Sequence, residues 1–529
     1  MLKSSTYSTI FTFFTILTLT LTSTSLAQPL QTPFEISGFE KHSSYSEMTE
    51  YLYRVNAQTS DMILGTFGTT LEGRDLLYGV FSRSGSGSAA EAHASGKPVV
   101  VLSANVHGHN HILKEVLLIM ARDLGTPGTQ LNQLLDDIIV VMVPSKNPDG
   151  LELNDRFNPL GADLNRDYTM LEQPSMAAFI GNIINKWNPH IMVDGHDGGA
   201  VQFGGAYPYN LLYQSSALAG ADQSIVRMAD EGVFPYLNSR MEDAGYRSFY
   251  WAHGDKEAYY GGGHAPRMGR NYGGLANKMS ILFELAAWHD AETAVSSGKV
   301  GYTAILKFAR DNSEELIRTL EDARRETVRL GRQAEGTVPV REKMVADDFR
   351  VSYEIQDPDR RGETIKIEGA EIIKKPEGTE FRDRPWAYVL PPHAFDAVEL
   401  LRRHNIRVER ITESKTVEAT AYKLGGLTYE DTDNNHRSAL LIDVEAEVQD
   451  RFEIPKGSYL VPTGQLLGRV VTHLMEPENS DNIFYWNRMT SLIPVAQFEA
   501  YRNDPQNNEA PLLPIWKLMT KTPLPTVTL

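Results

Sequence analysis

The chain has 529 residues, 41% of them hydrophobic, enough for a large buried core and for two domains. Acidic residues outnumber basic ones 68 to 51, and the net charge of −17 argues against a polyanionic partner such as nucleic acid. No cysteine is present, which excludes disulfides and a lipidated cysteine.

Residues 1–27 open with a single lysine, continue as an uncharged Phe/Ile/Leu/Thr run, and end at the small-residue site Ser25-Leu26-Ala27. This is the pattern of an export signal cleaved before Gln28. No later segment is apolar and long enough to span a bilayer, so a secreted or periplasmic bacterial protein without stable membrane insertion is expected.

"KPVVVLSANV" (97–106) and "DDIIVVMVPS" (136–145) are continuous β-branched runs of the kind buried on both faces of a sheet. The segment "LKEVLLIMARDL" between them has helical spacing. "PHIMVDGH" (189–196) follows the helical "SMAAFIGNIINKW", and "KMSILFELAAW" (278–288) completes the strands. The expected fold over 40–333 is α/β, a mixed, mainly parallel sheet flanked by helices. Residues 306–333 read as one long, charged surface helix. Residues 336–529 read as a smaller β-rich α+β domain, with short strands such as "FRVSYEIQ" and "TVEATAYKL" and a helix in "HAFDAVELLRRHNI". "DTDNN" (431–435) lacks the glycine and distal glutamate of a calcium loop and reads as a polar turn.

Chemistry collects where the strands of 40–333 end. His107 and His196 each follow a buried strand directly, and imidazoles that converge in this way suit zinc. "NPLGADLNRDY" (158–168) offers the amide of Asn165 and the forked cation of Arg166, a pair suited to a carboxylate. Glu284 interrupts the apolar "SILFELAAW". Each residue taken alone has a plainer reading: a satisfied histidine, a helix-capping arginine, a glutamate paired with an internal arginine.

In their order, "GTTLEGRDL" (68–76), "NVHG", "PSKNPDGLEL" (144–153), "GADLNRDY" (161–168), "VDGH" (193–196) and "ILFEL" (281–285) resemble the M14 zinc carboxypeptidases over roughly 45–325. The resemblance implies one zinc ion per chain, held by His107, His196 and a third group. Glu284 would be general base and proton donor, and Arg156 the oxyanion-stabilising arginine. Asn165 and Arg166 would clamp the terminal carboxylate of a peptide or peptide-like substrate. The family's mobile tyrosine would come from Tyr259, Tyr260 or Tyr272, with Tyr260 and Tyr272 taken as the substrate-binding candidates.

One position departs from the pattern. The family's third ligand is a glutamate three residues after the first histidine, and here Asn110 stands there, with Glu115 further along the helix. Asn110 is the expected ligand, with His109 and His111 as alternatives, each able to supply an imidazole instead. The implied activity is a metallocarboxypeptidase. A non-catalytic binding protein that has lost its metal and an N-acyl amino acid deacylase are the alternatives. "RPWAYVLPPHAFDAVELLRRHNIRVERI" resembles the C-terminal extension of large secreted bacterial M14-like proteins, without assigning it a role.

Overall fold

The computed structural model describes Met1 and residues 30–529, except 84–86, 199–200, 203–204, 207, 255–257, 287–288, 358–359, 361–362 and 432–437. The expected export signal, 1–27, apart from Met1, and most of the polar turn 431–435 lie outside the described residues. Residues 31–529 form one compact unit. Among the described residues, no helix is long and apolar enough to cross a membrane.

The central sheet has eight strands: β1 Met62–Thr69, β2 Asp75–Phe81, β3 Val99–Ser103, β4 Ile139–Val143, β5 Ile191–Asp197, β6 Leu211–Gln214, β7 Ser248–Tyr250 and β8 Met279–Leu285. Their spatial order is β1-β2-β4-β3-β5-β8-β6-β7. The four middle strands, β4, β3, β5 and β8, are mutually parallel, whereas β1, β2 and β6 join antiparallel, so the sheet is mixed. Every residue of β3, β4 and β8 is buried, which is why their sequences are near-continuous Val, Ile and Leu rather than alternating. The helix Ile112–Gly125 packs against this sheet and against the helix Ala291–Asp311.

The charged segment 306–333 is not one helix. Ala291–Asp311 and Ser313–Gln333 are separate, broken at Asn312, whose backbone (φ −120°, ψ 25°) leaves the helical region. The second helix is more than a solvated face, since Leu316, Leu320 and Ala323 are buried along it. The short strands expected beyond residue 336 are parts of long hairpins. Thr337–Gln356 pairs with Thr364–Asp383, and Lys415–Glu430 with Ala439–Ile454. The helix expected in "HAFDAVELLRRHNI" spans Phe395–Arg403. Strand Thr364–Asp383 also pairs in parallel with Ala258–Gly261, so one four-stranded sheet is built from both sides of residue 336. A single hydrophobic cluster likewise joins Phe179 and Met192 of the first part to Tyr388 and Leu474 of the second.

Candidate metal centre and substrate cavity

The C-terminal ends of the parallel strands carry the site. β3 runs into the loop 104–111, which Asn105 organises with its positive φ of 53°. The Asn105 amide donates to the carbonyls of His107, Gly108 and Asn110 at 3.1, 3.0 and 2.8 Å, and its oxygen accepts from Ser145 at 2.6 Å. Glycine is required at 108, because a Cβ there would lie 2.0 Å from the backbone of Gly150. The "NVHG" and "NPDG" segments are therefore two loops in direct backbone contact. Arg74 and Thr70 of the "GTTLEGRDL" segment both bind Asp149 and hold the second loop in place.

The loop delivers His107 beside His196 at the end of β5, with the two Nδ1 atoms 3.3 Å apart. His107 Nε2 donates to Asp163 at 3.1 Å, and His196 Nε2 faces Asp194 at 3.5 Å. These carboxylates favour the Nε2–H tautomers, which turn both Nδ1 lone pairs toward one another. Two lone pairs so placed can be offered to one cation. Asn110 Oδ1 lies 3.2 Å from His107 Nδ1. Donors about 2.0–2.1 Å from a tetrahedral zinc sit about 3.3–3.4 Å from one another, so these spacings fit the ion. Burial pulls the pKa of His107 down to about 3 against the pull of Asp163, which keeps the imidazole neutral and able to coordinate. Burial alone would raise Asp163, yet His107, Arg156 and Arg166 hold it well below the usual carboxylate range.

Among the described residues, no three His, Asp or Glu side chains gather into a metal site. The donors that converge are two imidazoles and one amide oxygen. His111 is turned away, bound through Nε2 to Asn154 at 2.7 Å and stacked on His42. His109 is exposed and lies parallel to His107 with ring centroids 6.1 Å apart. Glu115 is buried elsewhere, accepting from Ser43 and Lys114.

A cavity of about 830 Å³ opens over these donors, and Arg156, Asn165, Arg166 and Glu284 all line it. Glu284 stands beside His196 because β8 and β5 are parallel neighbours in that register. Arg156 binds Asp163 through Nε and Nη2 at 3.0 and 2.7 Å, leaving Nη1 3.5 Å from His107 Nδ1. Asn165 and Arg166 occupy a short 3-10 turn, Leu164–Arg166, capped by Asp163. The tyrosine candidates are not brought to the cavity. Tyr272 is fully buried, bonded to His404 at 2.9 Å and Asn185 at 2.9 Å, because its helix Gly269–Leu275 packs against the main sheet. Tyr260 is 44% exposed on the strand Ala258–Gly261, and Tyr259 is buried with its hydroxyl on the Tyr250 carbonyl. The aromatic residue that does line the cavity is Trp251.

The supporting layer was not singled out in the sequence. Lys146 is fully buried, paired with Asp194 and 3.3 Å from Tyr168 Oη, and Asp194 accepts from Tyr168 at 3.0 Å. A period-two rule on β5 would have found Asp194, which lies two residues before His196 on the same face. Asp163 is embedded in the same "GADLNRDY" motif as the clamp residues.

Residues 48–265 match the family model for zinc carboxypeptidases, peptidase M14. Carboxypeptidase 2 of Trichophyton rubrum is 25% identical over 427 residues, covering 78% of this chain and 77% of that protein. Carboxypeptidase Z of Mus musculus is 31% identical over 146 residues, 24% of this chain and 21% of that protein. Among solved structures, a metallo-carboxypeptidase from Burkholderia cenocepacia aligns at a TM-score of 0.40 with 18% identity, over 51% of this chain and 70% of that one. The converging His107 and His196 both lie within residues 48–265, the segment that matches the zinc carboxypeptidase family, peptidase M14.

Proposed function

We propose that this protein is a zinc-dependent carboxypeptidase that hydrolyses the last peptide bond of substrates with a free terminal carboxylate. The observation that carries this reading is the convergence of His107, Asn110 and His196 in the same cavity as Glu284, Arg156, Asn165 and Arg166. His107 Nδ1, His196 Nδ1 and Asn110 Oδ1 would hold the ion. Zinc, when bound, would supply Lewis acidity toward the scissile carbonyl and make a water molecule more acidic.

Arg166 and Asn165 bind the terminal carboxylate and so set the last peptide bond beside Glu284. Glu284 takes a proton from the attacking water and returns it to the nitrogen of the departing residue as the carbon–nitrogen bond breaks. Arg156, oriented by Asp163, places its Nη1 where negative charge builds on the carbonyl oxygen. Buried Asp163 and Asp194 keep each imidazole in the tautomer that presents Nδ1.

The test is hydrolysis of acylated dipeptides by the zinc-loaded protein. Glu284→Gln should lower turnover by about 10³-fold or more with zinc content unchanged. Substrates amidated at the C-terminus should react poorly in the wild-type protein, and Arg166→Ala should remove most of that discrimination. Equal rates on free and amidated substrates would overturn the carboxypeptidase reading in favour of another amide hydrolase.

A further inference from the structure

We propose that Arg270 makes this site selective for substrates whose C-terminal residue itself carries a carboxylate, that is, peptides ending in glutamate or aspartate. The inference rests on the carboxypeptidase reading and adds the substrate class. Arg270 is only 4% exposed yet lines the substrate cavity together with Arg166 and Glu284. Among the described residues its guanidinium is poorly satisfied: Nη2 donates to the Gly263 carbonyl at 2.7 Å, Nη1 meets the Met268 sulfur at 3.6 Å, and buried Nε has no partner. The face of Trp251 lies 5.7 Å away.

Among the described residues, no carboxylate forms an ion pair with Arg270. Buried Arg324 meets Glu321, and the partly buried Arg267 and Arg469 meet Asp481 and Asp222, whereas buried Arg384 donates to the Glu335 and Thr337 carbonyls. A desolvated cation with unused donors is unfavourable in the empty cavity and favourable once an anion enters it. Burial, reinforced by neighbouring Arg166, pulls its pKa down to about 10, so it remains a cation at neutral pH.

The position argues for the side chain of the substrate rather than its terminus. Arg166 and Asn165 already offer a fork and an amide to one carboxylate. The C-terminal residue must lie between that clamp and Glu284, and Arg270 feels the charge of both Arg166 and Glu284. Leu282, two residues before Glu284 on the same face of β8, also lines the cavity and marks the wall below the general base. Arg270 thus shares the cavity lining with the apolar side chains of Trp251, Met268 and Leu282. An aliphatic stem ending in a carboxylate matches that composition; a lysine or arginine side chain would meet like charge there.

Two readouts test this in the zinc-loaded protein. The first is kcat/KM for acyl dipeptides differing only in a terminal Glu, Gln, Leu or Lys. The second is calorimetric binding of N-acetylglutamate and N-acetylglutamine, which needs no turnover. Glu should exceed its isostere Gln by about 100-fold or more, because a site built for a charged acceptor is left unpaired by the amide. Arg270→Met keeps the length and the contact with Trp251 and should collapse the Glu/Gln ratio to within about threefold in both readouts, while Arg270→Lys should retain part of it. Equal wild-type values for Glu and Gln, or an unchanged ratio in Arg270→Met, would overturn the proposal. Failure to cleave any of the peptides while glutamate-selective binding persists would instead overturn the carboxypeptidase reading and leave the role of Arg270 standing.

Discussion

Asn110 donates through Nδ2 to the backbone carbonyl of Asp197 at 2.6 Å, and this bond turns its Oδ1 toward His107. Only the NH2 group can serve that carbonyl, so the orientation of the amide follows from its partner. Asp197 is itself anchored, accepting from the amides of Ile112 and Leu113, so the loop and the end of β5 are fastened together beside His107 and Asn110.

Asn110→Ala should therefore weaken zinc binding, by about 10-fold or more, whereas His109→Ala and His111→Ala should change it little. Asn110→Asp should gain less than its charge suggests, because its second oxygen would face the Asp197 carbonyl where the amide now donates. Zinc titrations against a competing chelator check both points. A sharp loss confined to a His109 or His111 variant would transfer the third-ligand role to that imidazole.

Lys146 and Asp194 form a fully buried ion pair beneath the histidines. Burial drags the Lys146 pKa down while Asp194 opposes it, and Asp194 is held well below the usual carboxylate range despite its own burial. Lys146→Met should cost about 3–5 kcal/mol of stability, since it strands a buried carboxylate. Urea denaturation of the single variant and of Lys146→Met/Asp194→Leu should show the double variant recovering part of the loss. A single variant as stable as wild type would mean that the pair is dispensable.

Glu342, on the long strand Thr337–Gln356, accepts from the Ala219 amide at 2.8 Å, and burial raises its pKa to about 7. The folded protein then keeps this proton where the unfolded chain, with an ordinary glutamate value of 4.5, has released it. Stability from this group is fully present below about pH 4.5 and is lost as pH rises toward about 7, by on the order of 2–3 kcal/mol. Glu342→Gln should flatten that decline, measured as unfolding free energies at several pH values across the window. An identical slope in the variant would assign the decline to other groups.

The eight-stranded sheet's buried centre was legible because strands covered on both faces must be apolar throughout, and the runs at 99–103, 139–143 and 279–285 are. His107, His196, Asn165, Arg166 and Glu284 could be named from strand ends and motif order, and all five line one cavity. The tyrosines could not be placed in that way, because an aromatic side chain serves a core and a binding site equally well until its neighbours are known. Tyr272 went to the core through His404, a partner 132 residues away.

What the sequence determined by itself was local: which segments are strands, where they end, and which side chains stand at those ends. The orientation of the Asn110 amide toward His107, the pairing of Lys146 with Asp194, and the exposure of Arg270 to the cavity over the histidines were decided only by the tertiary structure. Each of them depends on what an amide, a cation or a carboxylate meets across the fold, and the free energy of a buried polar group is set by that partner rather than by its neighbours in the chain.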